Sequence, residues 1–176
     1  MFDSILISTF DTWETHHISN ASDDLLKLFL EGEAHSLDVL RGIPVDFELA
    51  PRKVLQAVDR LKPRALICCG MAEERSRLNV ESTAVLGEEL LQTSLDLKML
   101  TAGLPMTEIS HDAGRFVCNT LYYKTLEYLS GREEECHCIF IHVPLLTEAN
   151  RDQLLADFTT IIERLHYVVS HPEEKL

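Results

Sequence analysis

Short, nearly unbroken apolar runs at residues 4–8, 65–69 and 138–143 constrain this chain more than any other feature. Five or six such residues make a strand, and apolar character at successive positions demands cover on both faces. Helical patterns separate the runs. Ser22 caps one, with Asp23 and Asp24 in its first turn, Leu25, Leu26 and Phe29 on its apolar face, and Gly32 as its stop. Pro51 stands in the first turn of the next, whose stripe is Val54, Leu55, Val58 and Leu61 before Lys62-Pro63 ends it. Leu121, Tyr122, Leu126 and Leu129 mark a third, and Leu154, Leu155, Phe158, Ile161, Ile162 and Leu165 a long closing helix. Further strands are expected at residues 36–41, 80–86 and 106–110. Strands separated by helices predict an α/β fold, a three-layer α/β/α sandwich with a mostly parallel central sheet. The expected organisation is a single domain over residues 1–170 with a frayed tail at 171–176.

A chain of 176 residues buries a sufficient core, roughly 70% of its unfolded surface, without disulfides or a structural metal. The balance of 29 acidic to 16 basic residues, a net charge of -13, argues against nucleic acid or an anionic membrane as partner. Five cysteines (68, 69, 118, 136 and 138) are an odd number with an adjacent pair, which does not read as a secreted disulfide framework. With no basic leader and no run of 18 apolar residues, the expected compartment is the cytoplasm.

Two neighbouring segments carry chemistry. Cys118 follows Gly114-Arg115-Phe116-Val117 and should lie on the first turn of the third helix, where unpaired N–H groups and the positive end of the dipole favour a thiolate. His142 closes the strand at 138–143 just before Pro144. In an open α/β sheet reactive groups collect beyond the carboxyl ends of the strands, which brings both to one edge. A buried cysteine of purely packing character is the competing reading. Cys136-His137-Cys138 lacks zinc-site spacing, and strand alternation aims His137 away from the two thiols, so no metal is expected. His16-His17 reads as a solvated loop near the expected mouth of the pocket.

The residues Ala113-Gly114-Arg115-Phe116-Val117-Cys118-Asn119 and Phe140-Ile141-His142-Val143-Pro144 resemble the nucleophile and histidine motifs of the pyroglutamyl peptidase I family of cysteine peptidases. Ile5 to Asp11 is similar to that family's opening strand, and Gly70 to Ser76 with Glu81 is similar to its glycine-arginine-serine segment and following glutamate. The resemblance implies a hydrolase-like α/β/α fold, a Cys118-His142-Glu81 triad and a ring-binding pocket lined by Phe10, Trp13, Phe116 and Val117. It implies removal of an N-terminal pyroglutamyl or related small neutral acyl group from peptides or small amides through a thioester, with no cofactor; homo-oligomer formation stays open. An uncharged cap suits an apolar clamp, since no ammonium need be buried.

The chain departs from that family at identifiable places. Glu14-Thr15 replaces a glycine pair, Trp13 a phenylalanine, and Glu73-Glu74 the residues ahead of Arg75. The family's segment after the glutamate, which carries an arginine, is reduced to residues 82–90. An alternative is therefore a member of the same fold that binds or assembles without catalysis, or with altered specificity.

Overall fold

The computed structural model describes residues 4–32 and 37–172. Its central sheet has six strands: β1 (Ile5–Phe10), β2 (Leu37–Ile43), β3 (Ala65–Met71), β4 (Leu78–Glu81), β7 (Thr107–Ser110) and β8 (His137–Val143), in the order β2-β1-β3-β8-β4-β7. The four strands β2, β1, β3 and β8 run parallel, whereas β4 is antiparallel to β8 and parallel to β7. β1, β3 and all of β8 after His137 are buried at every position, the physical counterpart of their unbroken apolar runs.

Alternation divides the core into two layers. Ile5 and Ile7, Ile67 and Cys69, and Ile139 and Ile141 face α1 (Ala21–Leu30), α3 (Leu97–Thr101) and α5 (Arg151–Ser170). Leu6 and Phe10, Leu66 and Cys68, and Cys138 and Phe140 face α2 (Leu49–Leu61) and α4 (Val117–Ser130). The three-layer expectation thus matches the architecture, and none of the described helices is long and apolar enough to cross a membrane.

Three local readings change. Asn20, not Ser22, caps α1: its Oδ1 accepts the Ser22 N–H at 3.0 Å, placing Ser22 inside the helix. The strand expected at 80–86 is two elements. Glu81 ends β4, and beyond Ser82 the chain forms β5 (Thr83–Leu86), which pairs with β6 (Glu89–Gln92) as a separate two-stranded hairpin. Gly87, at φ 61°, supplies the left-handed conformation its two-residue turn requires. α3 and β6 had no sequence signal, each being four or five residues long. Residue 36 of the expected second strand and residues 173–176 of the expected tail lie outside the described residues.

Candidate active site

His142 and Glu81 meet through the antiparallel register of β4 and β8. Glu81 lies opposite Phe140, and Asn79 opposite His142, so the Glu81 side chain shares the α2/α4 face with the imidazole. His142 Nδ1 and Glu81 Oε1 are 2.7 Å apart, with both side chains buried. A carboxylate accepts and does not donate, so Nδ1 carries the ring proton and Nε2 presents its lone pair. Glu81 Oε2 is buried with no partner.

Cys118 reaches the same face from above. The turn ahead of α4 is built by Gly114 at φ 79° and by Asp112, whose Oδ1 accepts the Gly114 N–H at 3.0 Å and an Arg115 N–H at 2.9 Å. Arg75 ties that turn to β4, donating to the Asp112 carbonyl at 3.4 Å and to Asn79 Oδ1 at 2.5 Å. Phe116 then caps α4 without a side-chain bond, leaving the first-turn N–H groups beside Cys118 open. Directly below is Gly70, the register partner of His142 on β3, where a Cβ atom would lie 2.6 Å from Cys118 Sγ and 3.0 Å from the Phe140 ring. Only glycine leaves room for the sulfur at this point of the sheet.

Cys118 and His142 line one cavity of about 240 Å³, together with Trp13, Met71, Glu73, Glu74, Arg75 and Phe116 among others. A larger hollow of about 400 Å³ between α1 and the start of α5 has charged and apolar walls but no cysteine or histidine. Of the four residues assigned to ring binding, Trp13 and Phe116 border the cavity, with ring centroids 6.3 Å apart. Phe10 and Val117, 2% and 1% exposed, are instead packed into the α2/α4 core and do not line it. Strand alternation turns Phe10 inward, and Val117 points down from the first turn of α4.

The thiol differs from the sequence expectation. Burial pushes Cys118 up to about 12, reinforced by Cys68, Glu81 and Glu74, while the backbone N–H at the helix start pulls the other way. Desolvation thus outweighs the helix terminus, and the resting sulfur is a neutral thiol. Burial likewise raises Cys69, Cys136 and Cys138.

The His16-His17 loop is only half solvated. The His17 side chain is 2% exposed and packs edge-on against Trp13 at 4.3 Å, and its Nε2 lies 3.3 Å from Glu73 Oε2; His16 Nε2 lies 3.4 Å from Oε1. These two imidazoles, His17 first, hold the Glu73 carboxyl below its usual range. The trio has metal-ligating atoms in proximity. However, the Glu14 N–H donates to His17 Nδ1 at 3.2 Å, so the neutral ring keeps its proton on Nε2, which is buried near Glu73 without a hydrogen-bond partner and has no lone pair for a metal. Gly70 and Asn79 are the site residues that residue-by-residue reading missed. A glycine inside an apolar strand was the one available signal, since it marks a close approach.

A family model described as pyroglutamyl peptidase matches residues 89–161, a span holding both Cys118 and His142. A pyrrolidone-carboxylate peptidase of Brevibacillus brevis is 26% identical over 94% of this chain and 91% of its own length. One from Bacillus subtilis is 24% identical over 87% and 83%. The crystal structure of pyroglutamyl peptidase I from Bacillus amyloliquefaciens superposes with a TM-score of 0.81 at 19% identity, covering 94% of this chain and 96% of that one. A mutant pyrrolidone carboxyl peptidase from Pyrococcus furiosus gives 0.79 at 20% identity, covering 98% and 100%. Near-complete coverage of both chains shows that the fold is shared over most of the length.

Proposed function

We propose that the chain is a divergent relative of the pyroglutamyl peptidases, a cysteine peptidase that removes an N-terminal pyroglutamyl group from peptides. The observation that carries the reading is the joint exposure of Cys118 and the Glu81-paired His142 to one small cavity. The raised Cys118 thiol favours general-base activation over attack by a preformed thiolate. His142 Nε2 takes the proton as Cys118 Sγ adds to the acyl carbon. Glu81 holds the Nδ1–H tautomer and offsets the charge of the imidazolium. The open N–H groups at the start of α4 are the donors for the oxyanion. Collapse of the adduct breaks the C–N bond, and the leaving amine takes its proton from His142. The imidazole then deprotonates water, which splits the thioester, releases the pyroglutamyl acid and returns the proton to sulfur.

Trp13 and Phe116 supply apolar walls for an uncharged lactam ring. An ordinary ammonium terminus would lose its hydration there, although Glu73 and Glu74 at the rim reduce that penalty. The test is hydrolysis of a pyroglutamyl chromogenic amide beside prolyl and acetyl-amino-acid amides, by the parent and by Cys118→Ala. Selective turnover lost in the variant is expected; equal activity in the variant would overturn the reading. The raised thiol and the reduced segment after Glu81 favour a second reading, a binding protein of the same fold. It would give saturable binding of pyroglutamyl peptide without turnover.

A further inference from the structure

Three aromatic rings form a continuous strip from the cavity to the surface. Trp13 and Phe116 stand at the cavity wall, and Phe47 meets Phe116 edge to face with centroids 5.7 Å apart. Phe47 and Phe116 are each 46% exposed. Phe47 is also held in place. Asp46 Oδ1 accepts the N–H groups of Glu48 and Leu49 at 2.9 and 2.7 Å, which fixes the turn that presents the ring. A rigid, exposed aromatic beside a catalytic cavity is a contact surface whose ordering cost is met by the fold.

We infer that Phe47 and Phe116 form the subsite for the side chain immediately following the scissile bond, and that it selects large apolar residues there. The inference rests on the peptidase reading. The acyl group occupies the cavity over Cys118 and His142, so the amine side must leave through the mouth. Trp13 and Phe116 make one wall of that mouth, and Phe47 continues the same wall outward. Glu73 and Glu74 share the cavity lining with Arg75, and Asp46 and Glu48 flank Phe47 in the sequence. An acidic side chain beside Phe47 meets the like charge of Asp46 and Glu48, and a glycine leaves the rings wet, whereas a phenylalanine or leucine covers them.

The experiment compares kcat/KM for pyroglutamyl-phenylalanyl, -leucyl, -glycyl and -glutamyl amides of equal length. The expected preference for phenylalanine over glycine is about tenfold or more, falling toward one in Phe47→Ala and retained in part by Phe47→Leu. A second readout does not need turnover. Trp13 is the only tryptophan in the chain, so its fluorescence in Cys118→Ala reports cavity occupancy, and the phenylalanyl compound should bind tighter than the glycyl by a similar factor. Hydrolysis of all four amides at equal efficiency, or an undiminished preference in Phe47→Ala, would overturn the inference and leave the peptidase reading standing. Absence of both hydrolysis and binding would remove the two together. A dimer that dissociates on Phe47→Glu would assign the strip to self-association and overturn it as well.

Discussion

Replacing Glu81 by Gln separates a catalytic carboxylate from a structural one, because the two roles predict opposite stabilities. Glu81 is fully buried, contacts His142 Nδ1 at 2.7 Å through one oxygen and leaves the other without a partner. A buried carboxylate so incompletely satisfied costs the fold desolvation energy that a neutral amide does not. Gln can still accept the Nδ1–H bond, so the ring orientation survives. What disappears is the negative charge facing the imidazolium that forms during attack. Two unit charges about 4 Å apart at an effective dielectric of 20 interact by about 4 kcal/mol. The amide dipole recovers a fraction, which leaves a loss of about 3–4 kcal/mol in the transition state and a fall in kcat of about 10²–10³. The assay is steady-state hydrolysis of a pyroglutamyl amide, with a thermal melt of the same preparation. Expected is that loss in kcat with little change in KM and a melting temperature no lower than the parent's. A kcat within about threefold of the parent, or an activity loss that merely tracks a lower melting temperature, would refute the role given to Glu81.

Gly70→Ala should drive a methyl group into Cys118 Sγ, 2.6 Å from the ideal Cβ position, with Phe140 blocking retreat at 3.0 Å. The expected result is at least a hundredfold loss of kcat with a destabilisation of about 1–3 kcal/mol in urea unfolding, and a fully active variant would contradict the placement of the sulfur. Asn119 clamps the hairpin, its Oδ1 accepting the Val85 N–H at 2.9 Å and its Nδ2 donating to the Val85 carbonyl at 2.7 Å. Asn119→Ala should therefore cost about 1–3 kcal/mol and raise amide hydrogen exchange across β5 and β6 before elsewhere. The raised thiols fix the sign of the alkaline response. Cys118 and Cys136 are held to about 12, against roughly 8.5 when unfolded, so their stabilising protonation is complete below about pH 8.5 and lost as pH rises toward 12. Melting temperature should fall from pH 8.5 upward, less steeply in Cys136→Ser, and a flat profile to pH 10.5 would contradict the burial assigned to these thiols.

The parallel core was legible because it is recorded locally. A strand buried on both faces, like β1, β3 or β8, has to be apolar at successive positions, and helices such as α2 and α5 carry their own period. The segment at residues 80–86 failed the same treatment because its partners are chosen elsewhere in the chain. Up to Glu81 the backbone pairs with β7 and β8, and after Ser82 it pairs only with β6, a change that no local propensity records. The site divides in the same way. Cys118 at a helix start and His142 before a proline are legible from neighbours a few residues away. The state of the thiol is not, since it depends on how deeply the fold sinks Cys118 and on the acidic and thiol groups gathered around it. The sheet register settles what else the site requires. Opposite His142, β8 is flanked by Gly70 on one side and Asn79 on the other. The first must lack a side chain so that the sulfur can approach, and the second must be polar to anchor Arg75, which holds the turn leading into α4. The two residues are nine positions apart in sequence and look unrelated there; only the strand between them gives them a common task.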